Sequence, residues 1–163
     1  MQVAVIGPGE ASDGERAAAR AVGGGLAEAG VVVVTGGLGG VMAAATAGAR
    51  DAGGVTLGLL PGDDAADATV TPTVAVPTGL GEARNMLVVR SADAVVAIGG
   101  AWGTLSELAL AIRRGTPVVG LGTWALTEDL AAHGLDDPVV RANSPAVAVR
   151  AVLGILAHNR NDA

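Results

Sequence analysis

The sequence predicts an α/β fold: a single doubly wound parallel sheet with helices on both faces. Three observations predict it. Short Val-rich runs alternate with Ala-rich stretches along 163 residues, the pattern of strands buried on both faces between crossover helices. Three strand-to-helix turns are rich in glycine: "GPGEASDGE", "TGGLGG" and "GGAWGT". The core must also be aliphatic, because half the residues are hydrophobic while there are only two Trp and neither Phe nor Tyr. A chain of this length buries one good core, so a single domain is expected over residues 1–158, with a frayed tail at 159–163.

Strands are expected at about 2–6, 31–35, 55–60, 73–76, 94–98 and 117–121, and helices at about 14–29, 40–52, 81–91, 104–114 and 145–158. Ser12 with Glu15 has the spacing of a capping box at the start of the first helix. Gly23-Gly24-Gly25 inside that helix costs about 0.8–1 kcal/mol per glycine relative to alanine, so either it ends early or it packs closely on the sheet; packing is the reading adopted. The second helix follows "TGGLGG", and the polar segment "PGDDAADATVTPT" is expected as a surface loop. In the fourth helix Leu105, Leu108, Ala109 and Ile112 make one apolar face, as do Val149, Val152, Leu153 and Leu156 in the last. Ser144-Pro145 reads as a cap followed by a first-turn proline, and "HGLDDP" as a loop.

Composition removes several classes of function. A net charge of −6 argues against nucleic acid and anionic membranes as partners, though not against a small anion. The chain has no cysteine, hence no disulfide, thiolate metal site or cysteine nucleophile, and His133 and His158 are too far apart to suggest a histidine metal cluster. All ten basic residues are arginine. A pyridoxal-phosphate enzyme and a P-loop nucleoside triphosphatase each need a lysine, so both are excluded, and neither cofactor nor metal is expected. The first residues, "MQVAVIGPGE", do not read as a signal peptide and no apolar run is long enough to span a bilayer, so a cytoplasmic location is expected. A mean hydropathy of +0.51 exceeds what one small domain can hide, which points to a homodimer or higher homo-oligomer.

The glycine turns carry the functional argument. Gly7, Gly9, Gly36, Gly37, Gly39, Gly40, Gly99, Gly100 and Gly103, with Thr104, all fall at the carboxyl edge of a parallel sheet, where open α/β folds bind ligands. Each turn also presents a helix N-terminus suited to a phosphate. None matches G-x-G-x-x-G, since Ser12 and Met42 stand where the third glycine belongs. Singly, each reads as a tight loop; together they favour a phosphorylated, nucleotide-like ligand. Arg84, at the start of the helix feeding the fifth strand, is either solvated or forked onto a phosphate or sugar oxygen.

In order, "TGGLGGVM", "ARN" and "GGAWGTLSE" resemble the superfamily that joins LONELY GUY (LOG) cytokinin-activating enzymes with proteins long labelled lysine decarboxylases. The resemblance extends to molybdenum-cofactor carrier proteins and a short bacterial and archaeal branch, and runs from the first strand to at least Leu121. LOG enzymes carry P-G-G-x-G-T-x-x-E and an upstream catalytic arginine in an Arg-Lys segment. Here Gly99 stands for the proline, Ala101 for the second glycine and Asn85 for the lysine, while Arg84, Thr104 and Glu107 match. These departures look more like the short branch and the carriers. The resemblance implies a Rossmann-like oligomer with pockets near a subunit interface. In the enzyme branch it implies hydrolysis of a nucleoside 5′-monophosphate to base and ribose 5-phosphate, with Arg84 and Glu107 catalytic. The alternative is a non-enzymatic binder or carrier of molybdenum cofactor or a nucleotide. The decarboxylase label fails for want of a lysine.

Glu107 has two readings. Beneath C1′ of a bound ribotide, its carboxylate would stabilise an oxocarbenium-like transition state or activate water, with the phosphate on the amides at 103–105. Alternatively Thr104-Leu105-Ser106-Glu107 is a T-x-x-E capping box. Trp102 could cover a base, but a tryptophan in a turn more often packs at a subunit contact; His133 and His158 are assigned no role.

Overall fold

The computed structural model describes residues 1–125 and 127–161. Along the first half, β1 (Gln2–Ile6), α1 (Asp13–Glu28), β2 (Val32–Thr35), α2 (Gly40–Asp51), β3 (Thr56–Leu60) and β4 (Val74–Pro77) follow in order. A 3-10 turn (Gly81–Arg84) then runs into α3 (Asn85–Arg90) and β5 (Ala94–Ile98). The rest is α4 (Trp102–Arg114), β6 (Val118–Leu121), α5 (Thr127–Ala132), β7 (Val139–Ala142) and α6 (Pro145–Asn161).

All seven strands are parallel, in the order β4-β3-β2-β1-β5-β6-β7. The predicted fold class is therefore observed. Side chains alternate across the sheet, so Val3, Val5 and Val96 meet α1, α2 and α6, whereas Ala4, Ile6 and Val95 meet α3 and α4. Both faces are covered, which is why β5 and, after the exposed Gln2, the rest of β1 are apolar without a polar alternate. The order reverses between β1 and β5, whose registers run Val3↔Ala94 to Ile6↔Ala97. The connections that leave their carboxyl ends therefore run to opposite faces, α1 to one and α4 to the other, and leave a crevice there.

The capping box at α1 is present: Glu15 N–H donates to Ser12 Oγ (3.3 Å), and Ser12 N–H donates to Glu15 Oε2 (2.8 Å). The three glycines do not end α1, but what they pack against differs from expectation. A Cβ at Gly23 would collide with the Ala45 carbonyl of α2, one at Gly48 with the Arg20 carbonyl of α1, and one at Gly25 with Val149 of α6. The close approach is thus helix to helix, with α1 and α2 in backbone contact, not helix to sheet.

Three elements lie where none was expected, the first a short 3-10 turn (Ala65–Asp67) within the expected polar loop. α5 and β7 bracket "HGLDDP", and β7 adds an edge strand beside β6, with Val118↔Val139 in register. The anticipated third helix is split, its first turn being 3-10. α6 continues to Asn161, past the expected start of the tail; residues 162–163 lie outside the described residues. Among the described residues no helix is long and apolar enough to cross a membrane.

Candidate functional site

A cleft of about 720 Å³ opens at the switch point, between the turns that leave β1, β2 and β5 and the 3-10 turn before α3. Arg84 forms part of its wall and is only 5 % exposed. Its place is made by an absence, since any side-chain carbon on Gly36 would occupy the position of the guanidinium. Arg84 Nη1 donates to Asn85 Oδ1 (3.0 Å), Asn85 Nδ2 donates to Ser106 Oγ (3.2 Å), and Ser106 Oγ donates to the Gly103 carbonyl (2.7 Å). This relay ties α3 to the first turn of α4.

Glu107 lies across from Arg84, with Oε1 3.6 Å from Nη1 and 6 % exposure. That distance makes an ion pair without a direct hydrogen bond. Burial pushes the Glu107 carboxyl up to about 7, and the guanidinium only partly offsets it. Burial likewise lowers the Arg84 pKa, with the Glu107 carboxylate opposing. Two buried polar groups here have no hydrogen-bond partner among the described residues, Arg84 Nε and Thr104 Oγ1. A buried unsatisfied donor costs about 1–3 kcal/mol, so unpaired groups gathered beside a cleft call for a reason.

The capping-box alternative for Glu107 fails. α4 begins at Trp102, with Ala101 as its N-cap and no side chain bonded to the cap. Thr104 is therefore the third helical residue rather than the cap, and Glu107 lies a full turn further in. The first-turn amides lack a side-chain cap, and the carboxyl is free to face Arg84.

Of the candidate residues, the structure brings Gly7, Gly9, Arg84, Asn85, Gly103, Thr104 and Glu107 together around the cleft. Gly36, Gly37, Gly39, Gly40, Gly99 and Gly100 stand outside its lining. Gly37 packs on Leu60, Gly39 and Gly40 on the Pro8–Gly9 backbone, Gly99 on Glu15 and Gly100 on Trp124. They hold the turns against one another. Pro8, Leu38, Met42, Pro61, Glu82 and Ser106 line the cleft without having been expected there, and Trp102, weighed as a base cover or a subunit contact, lines it too. Leu38 and Met42 had a signal, being the bulky side chains in and just after a glycine-rich turn; Pro61 and Glu82 had none. Among the described residues no cluster of metal-ligating side chains occurs.

The pH dependence of stability tests this electrostatic picture. Glu107 has a folded-state pKa of about 7 against an ordinary 4.5, so the native state holds the proton more tightly than the unfolded chain. The resulting stabilisation is complete below pH 4.5 and is lost as pH rises through about 7. Glu107→Gln lacks this titration. Urea unfolding across that range should show the wild type losing up to about 3 kcal/mol relative to the variant. A constant difference between the two proteins would refute the raised carboxyl.

The strand order and the crevice it opens are those of the Rossmann-like α/β proteins. The chain belongs to the SLOG cluster4 family, whose sequence model matches residues 1–149, within the LOG-like Rossmann superfamily suggested by its motifs. It is 37% identical to the molybdenum cofactor binding protein of Rippkaea orientalis, with a TM-score of 0.87 covering 95% of this chain and 96% of that one. It is 36% identical to the Moco carrier protein of Chlamydomonas reinhardtii, with a TM-score of 0.85 covering 96% and 98%. An uncharacterized protein of Archaeoglobus fulgidus is 40% identical over 126 residues, which are 74% of this chain and 80% of that protein.

Proposed function

We propose that this protein is a binder and carrier of a phosphorylated pterin of the molybdenum-cofactor type, acting as a homo-oligomer. The observation that carries the reading is the pair of unsatisfied buried groups, Arg84 Nε and Thr104 Oγ1, beside the uncapped first turn of α4. Amides, a hydroxyl and a guanidinium converging on one cleft suit a terminal phosphate. Pro8, Leu38, Met42 and Pro61 line the same cleft and suit the ring system of such a ligand. The likeness to molybdenum cofactor binding and carrier proteins over nearly the whole chain supports that cargo. With no cysteine, the chain supplies no thiolate to the metal, which would keep the ligands it arrives with.

The second reading is a nucleoside 5′-monophosphate phosphoribohydrolase, favoured by the buried Glu107 facing Arg84. A carboxyl that titrates near neutrality is matched to general acid–base work. In that reaction the C1′–N bond breaks, water adds at C1′, and the base leaves with a proton, Glu107 screening the charge that develops on the sugar.

Two measurements on the purified protein separate the readings. Nucleoside monophosphates are incubated with it and assayed for free base and ribose 5-phosphate, while binding of a phosphorylated pterin is measured by calorimetry. The carrier reading expects saturable binding with no turnover. Release of base that disappears in Glu107→Gln would replace it with the hydrolase.

A further inference from the structure

The chain has two tryptophans and neither phenylalanine nor tyrosine, and the two indoles meet beside the cleft, which Trp102 lines. Trp102 is the first residue of α4 and lines the cleft; Trp124 lies in the segment after β6. Their ring centroids are 5.8 Å apart with the planes tilted by 32°. Trp102 is 79 % exposed, an unusual amount of indole surface to leave in water. Trp124, by contrast, is held firmly. Its Nε1 donates to the Ala101 carbonyl (3.4 Å), and its own carbonyl accepts from Arg141 Nη1 (2.6 Å). Arg141 in turn is paired with Asp137 (2.6 Å). Gly100 lets this indole lie against the backbone of the α4 turn. Trp102 is thus backed on one side by an anchored ring and open on the other.

We infer that Trp102 is the stacking platform for the planar ring system of the ligand, a pterin or purine whose phosphate rests on the adjacent first turn of α4. The inference rests on the phosphate-binding reading of the cleft and adds the contact that selects the ring. Of the chain's two indoles only Trp102 lines the cleft, so among the described residues recognition of a fused heteroaromatic by stacking there falls to this ring. The ring and the phosphate are then read by consecutive residues, Trp102 against Gly103 and Thr104.

Calorimetry tests it with three probes: neopterin monophosphate, GMP, and ribose 5-phosphate as the ringless control. Because the chain has no tyrosine, its intrinsic fluorescence comes from this pair alone, and a stacking ligand should quench it. Trp102→Leu is expected to weaken binding of the ringed probes by about 5- to 100-fold and to abolish the quench, leaving ribose 5-phosphate unchanged. Trp102→Phe should recover most of the loss. Weakening confined to one ringed probe supports the inference and names that ring as the occupant. Wild-type affinity for both ringed probes in Trp102→Leu overturns it, and a simultaneous loss of self-association would assign the indole to a subunit contact instead. If no probe binds the wild type, ribose 5-phosphate included, the phosphate-binding reading itself has failed and this inference falls with it.

Discussion

Arg84→Ala is expected to lower affinity for a phosphorylated ligand by about 100-fold or more, the equivalent of about 2.7 kcal/mol. Arg84 is the arginine that lines the cleft, and its backbone turn, the relay through Asn85 and Ser106, and the empty space over Gly36 all fix where its guanidinium lies. Little rotamer freedom remains to be lost on binding, so most of the charge-assisted interaction reaches the ligand. Arg84→Lys keeps the charge without the planar fork and should fall between the two. The truncation has a second, opposite-signed signature. Without the guanidinium nothing holds the Glu107 carboxyl down, so its pKa rises further above about 7 and the site stays neutral at physiological pH. Calorimetry at fixed ionic strength decides the matter. Unchanged affinity in Arg84→Ala would remove the central element of the site.

Gly23→Ala should destabilise the protein by about 2 kcal/mol or more, although helix propensity alone predicts a gain of about 0.8–1 kcal/mol. The two effects are set against each other on known ground. Gly23 is fully inside α1, and a methyl there meets the carbonyl oxygen and carbon of Ala45 rather than a side chain that could turn aside. Gly48 makes the reciprocal contact with Arg20, so the helices can relieve either clash only by separating. Separation would uncover Val22, Leu26, Val41 and Ala45, all of them fully buried. Gly14→Ala, where no atom stands near the added carbon, is the control expected to stay within about 1 kcal/mol of wild type. Thermal or urea unfolding that shows Gly23→Ala as stable as the parent would mean that the α1–α2 contact is looser than described.

Much of this architecture could be read from residues, and the failures have physical causes. β1 and β5 were legible because strands covered on both faces are uniformly apolar, and the α1 cap was legible because Ser12 and Glu15 have one reasonable use. Arg84 and Glu107, 23 positions apart, stood out as a pair and do meet. β7 and α5 escaped notice because each is short and β7 is an edge strand in which both Val140 and Arg141 are exposed, so no apolar alternation marks it. The Thr104–Glu107 spacing imitated a cap because Trp102 and Gly103 look like turn residues, yet both adopt helical structure and move the true start upstream. Glycines mark where backbones come close but not what they come close to. That is why six of the nine candidate turn glycines support the cleft's frame rather than line it.

Gly36 has one consequence for how this chain can change over generations. The volume that a methyl would take there is the volume in which the Arg84 head group sits. Residues 36 and 84 therefore share a single allotment of space, and drift at the first is closed for as long as the second remains arginine. Once the arginine is gone, the vacated room admits alanine or serine at 36, and a return to the original pair then requires both reversals at once.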